Sequence, residues 1–156
     1  MALAPHREPL AYLGKDGGAG LGSGPGLTIG AALALRTSGR VVVGVLGDGD
    51  CMMGINALWT AARYEIPVLF VIANNRSYYN DEVHQENVAR GRSRNMDNKR
   101  IGIAIDHPAP DFAKLAEAQG IGAIGPVVAR EALPEALATA VDAVRNGKPF
   151  LVDVRI

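Results

Sequence analysis

Two runs of the chain, Val41–Leu46 (VVVGVL) and Val68–Ala73 (VLFVIA), are apolar on both alternating faces. A strand that is greasy on both sides needs cover on both sides, which is the situation inside a parallel sheet flanked by helices. Between the two runs Ile55, Leu58, Trp59 and Ala62 recur at helical spacing, so the segment reads as a β-α-β unit. Upstream, the Ala/Leu-rich stretch Leu27–Arg36 predicts a helix that stops at Thr37-Ser38-Gly39. Downstream, a polar stretch runs from Asn74 to about Arg100. It is followed by a short helix around Phe112, Leu115 and Ala116, with Asp111 as its N-cap and Gly120 as its stop. Leu133, Leu137, Val141 and Val144 mark one face of a last helix, which ends at Asn146-Gly147 and feeds a strand over 149–156. The pattern predicts a single α/β domain over 1–156: a mainly parallel sheet with helices on both faces. The two apolar runs are expected to be its central, neighbouring strands, with the strand order reversing near Asp48.

Composition narrows the function. Of the 156 residues 48% are hydrophobic, enough for a sizeable core, and sixteen Lys plus Arg balance sixteen Asp plus Glu. A chain without net positive charge is a poor partner for nucleic acid. The lone Cys51 cannot close an internal disulfide, no signal-peptide pattern opens the sequence, and no apolar run is long enough to span a bilayer, so a cytoplasmic protein is expected. Nineteen glycines, many of them between Gly14 and Gly54, say that backbone must approach something closely in that region.

In a parallel α/β sheet the ligand lies beyond the carboxyl ends of the strands. The residues there are Gly47-Asp48-Gly49-Asp50 after the first run and Asn74-Asn75-Arg76-Ser77 after the second. Asp48, held between two glycines ahead of a helix expected to start near Gly54, is a hard anionic oxygen donor. An Asn oxygen adds a neutral one. With phosphate oxygens nearby, such a donor set suits Mg²⁺.

The triplet Gly47-Asp48-Gly49, residues 50–73 and the pair Asn74-Asn75 together resemble the thiamin diphosphate binding motif. The stretch from Ala57 to Asn75 (ALWTAARYEIPVLFVIANN) is similar to the acetolactate synthase and benzoylformate decarboxylase group. The likeness covers nearly the whole chain as the C-terminal diphosphate-binding domain of such enzymes, and so implies the thiamin diphosphate-binding fold. It also implies that thiamin diphosphate and Mg²⁺ are the cofactors. Asp48 and Asn75 would bind the metal through side chains and Ser77 through its carbonyl, while Asn74 ties the strand end to the loop. The glycine-rich run 17–26 resembles the turn that meets the aminopyrimidine ring, with the Ala19 carbonyl as acceptor and Leu21 as the wedge that bends the cofactor. Gly47, Gly49 and Asp50 would border the diphosphate. Tyr78, Tyr79 and His84 are candidate substrate contacts, or else part of an exposed loop.

The likeness implies an enzyme that cleaves or forms a C–C bond next to a carbonyl, a 2-oxo acid decarboxylase or an acetolactate synthase-like carboligase acting on a small carbonyl substrate. The alternative is a non-catalytic nucleotide- or diphosphate-binding module, or a regulatory subunit of the same fold. Two departures stand out. Asp50 takes the place of a small Ser, Ala or Cys and brings a second carboxylate near the diphosphate, unless it turns away. No segment resembles the family's pyrimidine-binding domain with its activating glutamate, so that domain is expected on another part of a longer chain or on a partner, within a homo-oligomer.

Other readings are weaker. Asp48-Gly49-Asp50 also resembles the start of a haloacid dehalogenase phosphatase, but Met52 stands where those enzymes have Thr or Val. The glycine run has GxGxxG-like spacings, but no strand precedes it. Trp59, Met52 and Met53 read as core or interface packing, and Cys51 as a small buried filler. The Arg90–Arg100 stretch reads as a solvated basic face.

Overall fold

The computed structural model describes residues 8–14 and 20–156. Four strands, β1 (Val43–Gly47), β2 (Leu69–Asn74), β3 (Gly122–Val127) and β4 (Phe150–Arg155), form one fully parallel sheet in the order β1-β2-β4-β3. Helices α1 (Ser23–Ala34), α2 (Asp48–Gly54), α3 (Leu58–Arg63) and α5 (Phe112–Glu117) cover one face, and α6 (Leu133–Arg145) covers the other. Alternation along the strands divides the core accordingly. Phe70, Ile72 and Leu151 join Ile29, Leu58 and Phe112 on one side, while Leu69 and Val152 join Ala136, Ala140 and Val144 on the other. The expected α/β architecture with helices on both faces is therefore present, and α5 has the anticipated ends. Asp111 Oδ1 accepts from the Lys114 N–H at 2.9 Å, and Gly120 takes φ +85°.

The reading of the first run as a central strand is corrected. β2 is internal, but among the described strands β1 stands at the sheet edge, and Val43 and Val45 are 48% and 72% exposed. The reason is coverage: α6 packs on β4, β3 and β2, so among the described residues no helix lies on the face of β1 opposite α1. The strand order also reverses at the β3-to-β4 connection and not near Asp48. The sequence reading passed over β3, because Gly122, Gly125 and Pro126 read as breakers. On an edge strand with its register shifted between Ile124 and Val127 they are tolerated.

Two helices depart from expectation. α1 begins at Ser23, inside the glycine-rich run, with Pro25 in a first turn whose N–H groups have no intrahelical acceptor in any case. The polar stretch after Ser77 is not a loop, since residues Tyr79–Gly91 form α4. Glu86 pairs with Arg90 one turn on in the same helix at 2.7 Å and ties the helix to Lys99, on the segment that follows, at 2.7 Å. Met52, Met53 and Trp59 lie on the surface, as does Leu21, so they are not core residues; Cys51 is fully buried.

Candidate functional site

β1 and β2 run side by side with Gly47 opposite Ala73, so Asp48 and Asn74 leave the sheet next to each other. Helix α2 starts at Asp48 itself and not near Gly54, which makes the Asp48 carboxylate part of a helical first turn. Only 2% of Asp48 is exposed. Its Oδ1 accepts from the Gly49 N–H at 3.0 Å and its Oδ2 from the Ser77 N–H at 3.2 Å. Burial raises its pKa, opposed by the N–H groups of Gly49, Arg76 and Ser77.

The same Ser77 N–H is also reached by Asn75 Oδ1, at 2.9 Å. Oxygens from the ends of two adjacent strands therefore converge on one point, from a carboxylate and from a neutral amide. Asn75 itself is exposed. Arg76 adopts φ +60°, the left-handed turn that swings the chain back over Asp48. Segment 103–105 then braces the loop by donating to the Arg76 carbonyl at 2.8 Å and accepting from the Tyr78 N–H at 3.0 Å, which makes no demand on the Ser77 carbonyl.

Asn74 holds the strand end, as expected. Buried to 2% exposure, it donates through Nδ2 to Asp153 Oδ1 at 2.9 Å, and its Oδ1 accepts from the Arg76 N–H at 3.3 Å. Asp153, on β4, is a second buried carboxylate that sequence reasoning missed. Burial pushes its pKa up, and the charges of Asp111 and Asp48 add to that. A lone acid inside the apolar strand 150–155 was the available signal. The buried Cys51 thiol is pushed up to about 12 by burial and by the charges of Asp50, Asp153 and Asp48, which disfavours the thiolate form.

The two glycines of the triplet differ in kind. A Cβ at Gly49 would run into the Tyr78 ring, which lies against this turn. A Cβ at Gly47 would meet nothing among the described residues. Asp50 points its Oδ1 at the Gly22 N–H (2.7 Å) and the Gly24 N–H (3.4 Å). Of the other anticipated residues, Leu21 is exposed at the start of α1, Tyr78 is half-buried, and Tyr79 and His84 are exposed on α4. Ala19 lies outside the described residues. Glu82, which sequence reasoning also missed, is buried. It accepts from Ser77 Oγ at 2.9 Å and lies 3.4 Å from Arg100 and 3.7 Å from Lys99. No periodicity could have distinguished it in so polar a helix.

The family profile described as "Thiamine pyrophosphate enzyme, C-terminal TPP binding domain" matches residues 1–154. The chain belongs to this family of thiamine pyrophosphate enzymes. It is similar to benzoylformate decarboxylase of Pseudomonas aeruginosa, at 35% identity over 95% of this chain and 25% of that protein. It is likewise similar to the large subunit of acetolactate synthase isozyme 3 of Escherichia coli, at 33% identity over 97% of this chain and 25% of that protein. Among solved structures it resembles the thiamine diphosphate-dependent 4-hydroxybenzoylformate decarboxylase of Rhodococcus jostii. That likeness has a TM-score of 0.71 and 33% identity, and covers 86% of this chain and 23% of that one. The chain thus spans about a quarter of the length of these relatives. Among the described residues no three His, Cys, Asp or Glu side chains cluster as a metal site, and no helix is long and apolar enough to cross a membrane.

Proposed function

We propose that this domain is the diphosphate-binding half of a Mg²⁺-dependent thiamin diphosphate enzyme that cleaves or forms a C–C bond next to a carbonyl, as a 2-oxo acid decarboxylase or an acetolactate synthase-like carboligase. The observation that carries this reading is the convergence of Asp48 Oδ2 and Asn75 Oδ1 on the single Ser77 N–H. Two hard oxygens already aimed at one spot fit a small, oxygen-seeking cation, which would take the place of that N–H as their common target. The donors are those Mg²⁺ prefers. Asp48 and Asn75 would hold it through side chains and Ser77 through its carbonyl, which the bracing segment leaves free for the purpose.

A diphosphate would lie against the backbone at Gly47, where a Cβ meets nothing among the described residues, and Leu21, exposed just before α1, would support the cofactor's bend. Bound here, thiamin diphosphate would supply the nucleophilic chemistry toward a carbonyl substrate that no side chain provides by itself. The protein's own share is to bind the diphosphate, orient the rings and shape the pocket, with Tyr78 against Gly49 and with Tyr79 and His84 on the exposed side of α4. The glutamate that activates the pyrimidine would come from a pyrimidine-binding domain, in the same or another chain of a homo-oligomer in the cytoplasm.

Titration calorimetry with Mg²⁺ and thiamin diphosphate tests this, on the chain alone and mixed with a chain carrying a pyrimidine-binding domain. Metal-dependent binding that strengthens with the second chain and yields turnover of a 2-oxo acid supports the proposal. Binding without turnover in the mixture would select a non-catalytic diphosphate-binding module instead.

A further inference from the structure

The acid at position 50 is the feature of the metal loop that the proposed function leaves unused. Asp50 sits on α2, two residues after Asp48, and is partly buried. Its Oδ1 accepts from the Gly22 N–H at 2.7 Å and the Gly24 N–H at 3.4 Å, at the very start of α1, where N–H groups have no acceptor inside their own helix. A carboxylate there meets two donors and the positive end of a 12-residue helix. The packing is built around this contact. A Cβ at Gly24 would collide with the Asp50 carboxylate, and one at Gly54, the last residue of α2, would collide with the Gly22 carbonyl. Gly22 itself needs φ +93°, with Met53 of α2 against it. From the other side Thr28 donates to the Gly24 carbonyl at 2.8 Å and fills the space that a side chain on Gly44 of β1 would take. The first turn of α1 is thus clamped between α2 and β1, and Asp50 is the hydrogen-bonding part of the clamp.

From this we infer that Asp50 is a positioning residue that couples the metal loop to the glycine-rich turn, so that filling the site at Asp48 sets the backbone of Gly22–Gly24. The inference rests on the diphosphate-binding reading above and adds a residue and a role to it. α2 is a single short helix carrying Asp48 at its first position and Asp50 in the same turn. Whatever fixes Asp48 therefore fixes the carboxylate that holds the turn, where the cofactor's other end would lie. The second negative charge beside a diphosphate site is then not a defect, because it is directed at the α1 amides.

The test uses amide hydrogen exchange by NMR on the 156-residue chain, with inorganic diphosphate plus Mg²⁺ as a probe that has no pyrimidine. In the unliganded chain Asp50→Ala should speed exchange of Gly22 and Gly24 at least about tenfold, as expected for loss of a hydrogen bond to a charged acceptor, with Asp50→Asn in between. In the wild type the probe should slow exchange at both glycines. In Asp50→Ala the probe should still bind, but those amides should no longer respond. The same variant should lose affinity for thiamin diphosphate by about tenfold relative to its affinity for inorganic diphosphate.

Equal exchange in wild type and both variants would overturn the tether, as would an undiminished response to the probe in Asp50→Ala. Tighter thiamin diphosphate binding by Asp50→Ser would show Asp50 to be a repulsive charge and overturn the role. A wild type that does not bind the probe at all would refute the diphosphate-binding reading and with it the coupling, while the unliganded exchange rates would still decide the tether.

Discussion

Asp153 shows how much one buried group can decide. It is 1% exposed, with Asn74 Nδ2 as its hydrogen-bond donor, and burial raises its pKa above the ordinary 3.8. The folded chain therefore keeps this proton to higher pH than the unfolded chain does. The contribution of Asp153 to stability is fullest below pH 3.8 and is lost as pH rises from there through the raised folded value. Asp153→Asn should accordingly raise Tm at pH 7 by about 2–4 °C and bring no gain at pH 3, so the difference between the two melting curves should grow with pH across the acid range. Asp48 calls for a different substitution. Because its carboxylate is buried and accepts the Ser77 N–H, Asp48→Ala would loosen the loop as well as remove a ligand. Asp48→Asn keeps one of the two acceptors, for Gly49 or for Ser77, so it should retain the circular dichroism of the wild type with a lowered Tm, while losing Mg²⁺-dependent thiamin diphosphate binding by about a hundredfold or more, read by calorimetry. Tight binding retained in that variant would reject Asp48 as a metal ligand.

At the scale of elements, a buried acid ties the helix after the 74–77 loop to its neighbours on both sides. Glu82 links Ser77 on the loop to Arg100 and Lys99 on the segment that follows α4. Glu82→Ala should destabilise the domain by about 1–3 kcal/mol, since it removes hydrogen bonds to a buried charged acceptor. Glu82→Gln, which can still accept from Ser77, should lose less; urea unfolding of the two variants gives the comparison. The close approach of α2 to the glycine-rich turn makes a second prediction. Gly54→Ala places a methyl group on the Gly22 carbonyl, and backbone cannot yield as a flexible side chain would. A loss of roughly 1–3 kcal/mol is expected by urea unfolding, the range for an overpacked position. Gly26→Ala, where a Cβ meets nothing and φ is not left-handed, should cost little and serves as the control.

For the whole molecule, the exposed apolar surface sets the expectation. Leu21, Met53 and Trp59 are each at least half exposed, and Val43 and Val45 lie bare on β1, which has no strand neighbour on its outer side among the described residues. Apolar surface of this kind on one small domain favours association. Sedimentation velocity should show the chain self-associating with rising concentration. Assays with pyruvate or benzoylformate, Mg²⁺ and thiamin diphosphate should show no turnover until a chain with a pyrimidine-binding domain is added. A clean monomer at all concentrations would contradict the first outcome, and decarboxylation by the chain alone the second.

The sequence by itself determined the parallel β-α-β frame and the pair of loops at its strand ends, because two-faced apolar runs and the glycine, aspartate and asparagine residues that end them are local patterns of periodicity and turn chemistry. It also yielded the ends of α5, since an Asp cap and a Gly stop act within one turn of the helix. Only the tertiary structure decided that β1 lies at an edge. An apolar run looks the same whether or not a helix covers it, and coverage depends on where α6 crosses the sheet. The start of α1 inside a run of glycines, the helix formed by the polar residues 79–91 and the direction of the Asp50 carboxylate were likewise hidden in the sequence. Each depends on a partner distant along the chain: Asp50 for α1, Lys99 and Arg100 for α4, and the amides of Gly22 and Gly24 for Asp50 itself.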